Sequence, residues 1–272
     1  MAVRDSQTEL LRVQGYRAMT PQHRFDIARR LTREGRWIAL NMARKRHPLI
    51  IREIEFELWN RIYGRQVAAQ ALALPRGWNP ETEPMEESAV VCEVVKVLED
   101  LGVPYAIVGG YSAIFWGRPR TTQDADLIIQ ISPHRIDALV RALDPRFVVS
   151  SKAAQDAARL HGEFNAIHRT EVFKVDLWVA GTAFDQEVLG RRRREQLTPA
   201  LTAFVQSPED TILSKLRWCK LSNMSERQFT DVLGVYEIQE PELDQRYLDH
   251  WALRLDVADL LTRVRQEAAR ED

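Results

Sequence analysis

The sequence predicts an α/β protein in which a mixed sheet is flanked by helices, with an N-terminal helical module and a C-terminal helical extension. The first observation is a helical segment, 89–101, that stops at Gly102 and leads into Tyr105–Val108, an apolar run typical of a buried strand. The second is an apolar segment, 127–129, preceded by two aspartates. The third is the alternation of apolar and polar residues over 172–179, which indicates a half-buried strand.

Composition excludes several classes of protein. The chain has 272 residues, of which 45% are hydrophobic and 28% charged, as in ordinary globular domains. The net charge of −1 gives no global basicity for nucleic-acid binding. Cys92 and Cys219 stand far from any zinc-like spacing, and we find neither a membrane span nor a signal-peptide pattern. We therefore expect a cytoplasmic protein with reduced thiols and no membrane partner.

Four segments divide the chain. We predict an N-terminal helical module over 1–74, a linker over 75–88, an α/β domain over 89–235 and a helical extension over 236–272. The linker is the clearest boundary, because it combines three prolines with acidic residues and few apolar ones. The extension is amphipathic, so we expect it to pack on the domain or on a second copy of the chain.

The N-terminal module has its own start and stop signals. Thr20-Pro21 predicts a helix start, His47-Pro48 breaks the pattern, and Gly64 ends a second helix. Its many arginines form either a basic face for RNA or, as we favour, a solvated face balanced by glutamates. The later cluster 191–194 has the same two interpretations, a polyanion contact or a charged turn.

The acidic residues suggest a metal site. Asp124 and Asp126 are two residues apart, so on a strand they project side by side, and two like charges at that spacing need a cation between them. Asp176 is the acidic residue in the middle of the strand 172–179 and completes a three-carboxylate set for one or two Mg²⁺ ions. The alternative for any one of these features is a solvated strand edge or a common Gly-Gly turn. Their ordered combination favours the metal site.

At this point the residues resemble a known family. GGYSAIFWGRPRTTQDADL is similar to the Gly-Gly, spacer and D-x-D signature of the nucleotidyltransferase superfamily with a DNA polymerase β-like fold, and looks closest to AbiEii-like and minimal bacterial enzymes of toxin–antitoxin systems. The resemblance covers about 91–231. It implies that Asp124 and Asp126 bind Mg²⁺ and the nucleoside triphosphate, that Asp176 orients or deprotonates the acceptor hydroxyl, and that the phosphates are contacted by Gly109, Gly110 and Ser112.

Further residues are implied by the same resemblance. The segment SPEDTILSKLRW is similar to a family motif whose lysine, here Lys215, contacts the nucleotide. Arg227 and Asp231 are a looser match. Arg118 and Arg120 are candidates for steadying phosphate or acceptor, although Arg120 is equally suited to a structural pair with an acid. His161 and His168 lie near the predicted sheet, but a lone histidine is more often a surface or turn residue than a general base.

The predicted function is metal-dependent transfer of a nucleoside monophosphate from a nucleoside triphosphate to a hydroxyl, with two Mg²⁺ ions as cofactors. The acceptor is an RNA or tRNA end, a protein or a small molecule, and the resemblance adds a toxin–antitoxin role with a cognate antitoxin or a homodimer as partner. One alternative is a catalytically silent protein of the same fold that binds a partner. Another is an interaction module in which the α/β domain serves only as a scaffold.

Overall fold

The computed structural model describes residues 6–47, 51–63, 65, 68, 87–171 and 173–269. Twelve α-helices lie in these ranges: α1 Ser6–Arg17, α2 Pro21–Arg46, α3 Ile51–Tyr63, α4 Glu87–Asp100, α5 Gly109–Trp116, α6 Ile136–Leu143, α7 Ser151–Leu160, α8 Ala183–Arg191, α9 Pro208–Leu221, α10 Glu226–Gln239, α11 Gln245–Arg254 and α12 Ala258–Ala268. The strands are β1 Tyr105–Val108, β2 Ala125–Ile129, β3 Phe147–Val149, β4 Glu163–His168, β5 Lys174–Val179, β6 Arg193–Thr198 and β7 Leu201–Val205.

The seven strands form one mixed sheet in the order β3-β4-β5-β2-β1-β7-β6. β1 and β2 are antiparallel, whereas β2 runs parallel to β5 and β1 runs parallel to β7. The remaining neighbours, β3 with β4, β4 with β5 and β6 with β7, are antiparallel. The predicted fold class, a mixed sheet flanked by helices, is confirmed.

The centre of the sheet is also its most apolar part. The residues Ala125, Leu127 and Ile129 of β2 and Val175 and Leu177 of β5 have no exposed surface. Because successive side chains of a strand alternate between its two faces, the residues between them share the opposite face, and these include the acidic side chains. Burial of one face of β2 and β5 therefore fixes the register that brings the acidic residues together.

Helix α2 packs directly on the helix that follows the Gly-Gly pair. Phe25 makes an edge-to-face contact with Tyr111 of α5 at 5.1 Å between ring centroids. The guanidinium of Arg24 donates to the carbonyl of Phe115 at 3.2 Å. Phe25 and Ala28 belong to the same hydrophobic core as the sheet. The division at 74 remains a prediction, but α2 contributes side chains to the core of the α/β domain.

A second set of α2 contacts holds the segment that leads into β2. The buried hydroxyl of Thr32 accepts a hydrogen bond from the Thr122 amide at 3.2 Å and donates to the Ala28 carbonyl at 2.9 Å. Arg36 donates to the Gln123 carbonyl and pairs with buried Glu87 of α4 at 3.2 Å. Both contacts fix the backbone just before Asp124.

We expect Thr32→Val to lower the free energy of unfolding by about 1–3 kcal/mol, because valine leaves the buried Thr122 amide without its acceptor. Thr262→Val is the matched control, since exposed Thr262 makes the same bond to the carbonyl four residues back, at 2.9 Å, and accepts from no other segment. Urea unfolding followed by circular dichroism measures both. Equal effects of the two substitutions would show that the α2 contact with Thr122 does not stabilise the fold.

Most sequence-predicted elements are confirmed. Thr20 caps α2 by accepting from the His23 amide, and α2 ends at Arg46. β1 lies at Tyr105–Val108 as predicted, and β5 lies within the predicted strand 172–179. The predicted stop at Gly64 and most of the predicted linker fall outside the described residues. Helix α4 begins at Glu87, two residues before its predicted start.

Two predictions at the site need correction. Helix α5 starts at Gly109 itself, so the Gly-Gly pair forms the first turn of the helix and not a separate turn before Ser112. A left-handed φ of +61° at Gly109 lets the chain enter the helix straight from β1. Asp124 lies one residue before β2, not within the strand, because the first pairing of β2 joins Ala125 to Val175 of β5.

The C-terminal helices cover the α/β domain. Leu248 and Trp251 of α11, with Leu260 and Leu261 of α12, are buried in the main core. The predicted packing of this extension on the domain is confirmed. In the part of the chain that the structure describes, no helix combines the length and apolarity that crossing a membrane requires.

Candidate active site

The backbone at the junction of β1 and α5 lies in close contact with the Asp126 carboxylate. Val108 pairs with Asp126 across the antiparallel ladder, which places the following glycine beside that side chain. A Cβ atom on Gly109 would overlap the Asp126 carboxyl group. The Gly110 amide also forms a hydrogen bond with the carboxylate. Glycine is therefore required at position 109 both for its φ and for this close approach.

We expect Gly109→Ala to abolish the nucleotide binding that the sequence predicts, because it displaces Asp126, in addition to the cost of about 1–2 kcal/mol for a side chain in the left-handed region. Gly102→Ala is the matched control. Gly102 has a φ of +60°, and an added Cβ there would meet no atom within 4 Å. The two variants are compared by thermal unfolding and by nucleotide binding. Loss of binding in both, or in neither, would show that crowding at Asp126 is not what the glycine avoids.

A buried lysine contacts two of the three predicted carboxylates on one face of the sheet. Asp126 and Asp176 are directly paired in the β2–β5 ladder. The ammonium of Lys174 lies 3.5 Å from the Asp124 Oδ2 atom and forms a tight ion pair with Asp176. Lys174 and Asp176 are two residues apart on β5, so they share the face that carries Asp126. The structure thus brings the predicted carboxylates together and adds a cation of its own between two of them.

Burial dominates the electrostatics of these groups. Burial raises the pKa of Asp176 to about 7, although the charge of Lys174 opposes the change. Burial also raises the pKa of Asp126, and the charge of Asp124 adds to the effect while Lys215 and Lys174 oppose it. A raised carboxyl pKa means that the surroundings disfavour the ionised form. An added cation would stabilise that form.

The donor atoms suit a divalent cation. Within the described part of the chain, the buried Oδ1 atoms of Asp176 and Asn165 have no hydrogen-bond partner, and the two residues are neighbours in the β4–β5 ladder. Carboxylate and amide oxygens are the ligands that Mg²⁺ prefers. Among the residues that the structure describes, however, no three Asp, Glu, His or Cys side chains converge on one metal position. A metal shared by all three carboxylates remains a prediction.

A second buried ion-pair network lies beside the carboxylates. Asp231 of α10 accepts two hydrogen bonds from Arg120, at 2.6 and 2.7 Å, and pairs with Lys215 of α9 at 3.0 Å. Burial alone would raise the pKa of Asp231, but these two cations outweigh it and lower the pKa. Burial lowers the pKa of Lys215, with Asp231 opposing. Arg120 is thus held in a structural pair. Its partner, Asp231, lies on helix α10 and not on the strand that follows Arg120.

An open cavity of about 460 Å³ extends from this network across the sheet. Of the predicted site residues, Gly109, Asp126 and Lys215 line it. The other lining residues come mainly from β2, β5, α8 and α9 and include Ile128, His161, Trp178, Thr182, Phe184, Asp185, Val188, Gln206, Ser214, Arg217, Trp218, Leu221 and Gln228. The cavity therefore joins a carboxylate, a lysine and a glycine turn to a wall with two tryptophans.

Three predicted contact residues lie behind the cavity wall. The buried Ser112 hydroxyl donates to the Gly109 carbonyl at 3.1 Å and accepts from the Gln206 amide at 2.7 Å. A Cβ on Gly110 would crowd the Thr122 hydroxyl at 2.7 Å. Arg118 pairs with buried Glu237. These residues support the glycine turn and the segment that follows it, and their contact with phosphate remains a prediction.

The two histidines and the arginine cluster form contacts with other residues of the fold. The Nδ1 atom of His161 lies 2.8 Å from the Ala180 carbonyl, and the His168 ring accepts from the Glu171 amide at 3.1 Å. Each of the four consecutive arginines stacks on an aromatic ring, and three of them also reach a glutamate; these residues are Arg191, Arg192, Arg193 and Arg194. The arginine contacts and the position of His161 at the end of α7 agree with the structural interpretations, whereas His168 is buried within β4 and is not a surface or turn residue.

Sequence reasoning missed Lys174, Trp178 and Gln228. Alternation along β5 carried a signal for the first two, since Lys174, Asp176 and Trp178 are spaced by two and so share one face. Gln228 lies on α10, about 50 residues beyond β5 along the chain, and nothing local marked it as part of the cavity.

Comparison with solved structures finds proteins described as nucleotidyltransferases or similar to them. One is an antigenic nucleotidyltransferase-like protein from Paracoccidioides brasiliensis, with 19% identity over 65% of this chain and 91% of that one, at a TM-score of 0.44. A second is ANT(2'')-Ia in complex with adenylyl-2''-tobramycin, with 12% identity over 62% of this chain and 97% of that one, at a TM-score of 0.42. A third is the antibiotic-resistance factor ANT(2'')-Ia in solution, with 15% identity over 68% of this chain and 95% of that one, at a TM-score of 0.40. All three identities are below 20%, and all three TM-scores are below 0.5.

No protein-family model matches the chain, and no curated protein matches it.

Proposed function

We propose that the chain transfers a nucleoside monophosphate from a nucleoside triphosphate to an acceptor hydroxyl. The acceptor oxygen forms a bond to the α-phosphorus, and the bond from that phosphorus to its bridging oxygen breaks, with the electron pair leaving on pyrophosphate. The acceptor proton passes to a nearby base, for which Asp176 is the candidate. No oxidant or further co-reactant is needed.

The observation that carries this proposal is the contact between the glycine turn and Asp126. A backbone turn at a helix start, a carboxylate beneath it and Lys215 in the same cavity give both signs of charge that a metal-bound triphosphate requires. Asp124, Asp126 and Asp176 would hold Mg²⁺. When bound, that ion would neutralise charge on the attacking oxygen and on the leaving pyrophosphate.

The protein's own residues have separate parts in this proposal. Gly109 leaves room for the Asp126 carboxylate against the helix start, and Lys215, held by Asp231, offsets the negative charge of the phosphates. Lys174 offsets part of the negative charge of Asp124 and Asp176 before the substrate arrives. Arg120 fixes the loop before β2 through its bidentate bond to Asp231. Each part concerns binding or orientation of the reacting groups.

The experiment is incubation of the protein with Mg²⁺, each α-labelled nucleoside triphosphate, and either total bacterial RNA or total bacterial protein. Label that moves to one of these macromolecules identifies the acceptor class and the preferred base. An Asp124→Ala/Asp126→Ala double variant is the control. Transfer by that variant would contradict the assignment of the site, and absence of transfer to any acceptor, small hydroxyl compounds included, would contradict the activity.

A second candidate function is nucleotide binding without transfer, as in a silent protein of this fold. One observation favours it, because Lys174 already offsets part of the negative charge of two carboxylates without a metal. Mg²⁺-dependent binding of triphosphates with no transfer would select this alternative. A role as the modifying component of a toxin–antitoxin pair, with a cognate antitoxin or a homodimer as partner, is a further proposal that follows only if transfer is observed.

A further inference from the structure

The cavity has a charged end and an aromatic end, separated by one step along the central strands. In the β2–β5 ladder, Asp126 pairs with Asp176, and two residues further on Ile128 pairs with Trp178. Residues spaced by two share a face and lie about 7 Å apart. The aromatic end therefore begins about 7 Å from the carboxylates, the separation expected when one sugar ring lies between a phosphate and a flat base.

Two tryptophans form the wall at this end. Trp178 of β5 and Trp218 of α9 are in edge-to-face contact, with ring centroids 5.4 Å apart and planes at 63°. Trp218 keeps 45% of its surface exposed and Leu221, one turn later on α9, keeps 66%. Large apolar side chains left open inside a cavity mark a place where a flat apolar ligand gains contact area.

A buried polar atom belongs to another residue of the cavity lining. Among the residues that the structure describes, the buried Gln228 Oε1 atom has no hydrogen-bond partner, and Gln228 lines the cavity with the two tryptophans. An unpaired buried acceptor costs about 1–3 kcal/mol. That cost is removed when a ligand offers a donor group there.

We propose that this aromatic end is the subsite for the nucleobase of the donor nucleotide, with Trp218 as the stacking surface and the Gln228 amide as the polar contact to the base edge. The inference rests on the proposed function and extends it to the base. A nucleobase fits because it combines a π-face for the indole with hydrogen-bonding groups at its edge. It is also tethered to a triphosphate that reaches Lys215 and Gly109 in the same cavity.

The test compares binding of ATP, GTP, CTP and UTP with binding of inorganic tripolyphosphate, each with Mg²⁺, in the full chain. Tripolyphosphate has the charge of the donor but no base. We expect Trp218→Ala to weaken binding of the preferred triphosphate roughly 5- to 150-fold and to leave tripolyphosphate binding unchanged. Trp218→Phe retains most of the affinity, because a flat ring remains. Trp37→Ala removes another exposed tryptophan, at 39% exposure and outside the cavity, and changes neither ligand.

Three results would overturn the inference: equal affinity of the wild type for triphosphates and tripolyphosphate, no change in triphosphate binding on Trp218→Ala, or equal weakening of both ligands. Gln228→Leu gives a second readout, since it alters the preference among the four bases if the amide contacts the base edge. Failure of the proposed function is distinguishable. Base-dependent binding that requires Trp218, without any transfer, sustains the subsite and contradicts the transferase.

Discussion

Replacing Asp126 with asparagine is expected to lower nucleotidyl transfer by about 10²–10³-fold, the loss seen when one preorganised electrostatic group is removed from an active site. The expectation follows from its position, since the carboxylate lies between the glycine turn and Asp176 and lines the cavity with Lys215. Asparagine has the same shape but no charge. Rates are measured with saturating triphosphate and Mg²⁺.

The same substitution is not expected to destabilise the fold. Burial raises the pKa of Asp126, so its ionised form is disfavoured in the folded chain, and a neutral amide removes that cost. The asparagine oxygen can still accept from the Gly110 amide. Asp156→Asn, at a half-buried aspartate on α7 that does not line the cavity, serves as the control and should retain full activity. A large loss of activity together with a fall in melting temperature would indicate a structural role for Asp126 instead.

The second large effect is expected at Asp231. Asp231→Asn leaves Lys215 and Arg120 next to a neutral group, and breaking a buried pair by removing one partner costs about 3–5 kcal/mol. Because the pKa of Asp231 is lowered in the folded chain, its contribution is present above about pH 4, the ordinary carboxyl value. That contribution is lost as the pH falls through the lowered value.

Asp256→Asn is the matched control for Asp231→Asn. Asp256 also pairs with a lysine, Lys220, at 2.6 Å, but its side chain is 91% exposed. Its φ of +57° is one that asparagine tolerates. Such surface pairs contribute about 0–1 kcal/mol. Urea unfolding at pH 7 compares the two variants, and similar losses from both would show that burial of the Asp231 network does not set its strength.

Local patterns in the sequence were enough to predict the centre of the fold. The apolar run of β1, the glycines after it and the alternation over β5 placed Gly109, Asp126 and Asp176 near one another, because strand period and glycine chemistry are local properties. The helix start at Thr20 was predictable for the same reason, since a cap depends on a few adjacent residues.

Contacts between distant segments were not predictable in this way. The bond from Thr122 to Thr32 joins residues 90 apart, and the pair between Arg120 and Asp231 joins residues 111 apart. Helical periodicity showed that α2 has an apolar face, but not which surface that face covers. Lys174 was missed because a charged residue on a strand usually faces solvent. In the folded chain, β5 lies between two other strands, and the Lys174 ammonium contacts the carboxylates.

The most direct measurement of the central proposal follows the two ends of one triphosphate. The protein is incubated with Mg²⁺, the acceptor that the labelling experiment identifies, and a triphosphate labelled at either the α- or the γ-phosphorus. Nucleotidyl transfer predicts α-label on the acceptor and γ-label released as pyrophosphate in equal amount. Appearance of γ-label on the acceptor, or release of inorganic phosphate in place of pyrophosphate, would contradict the account.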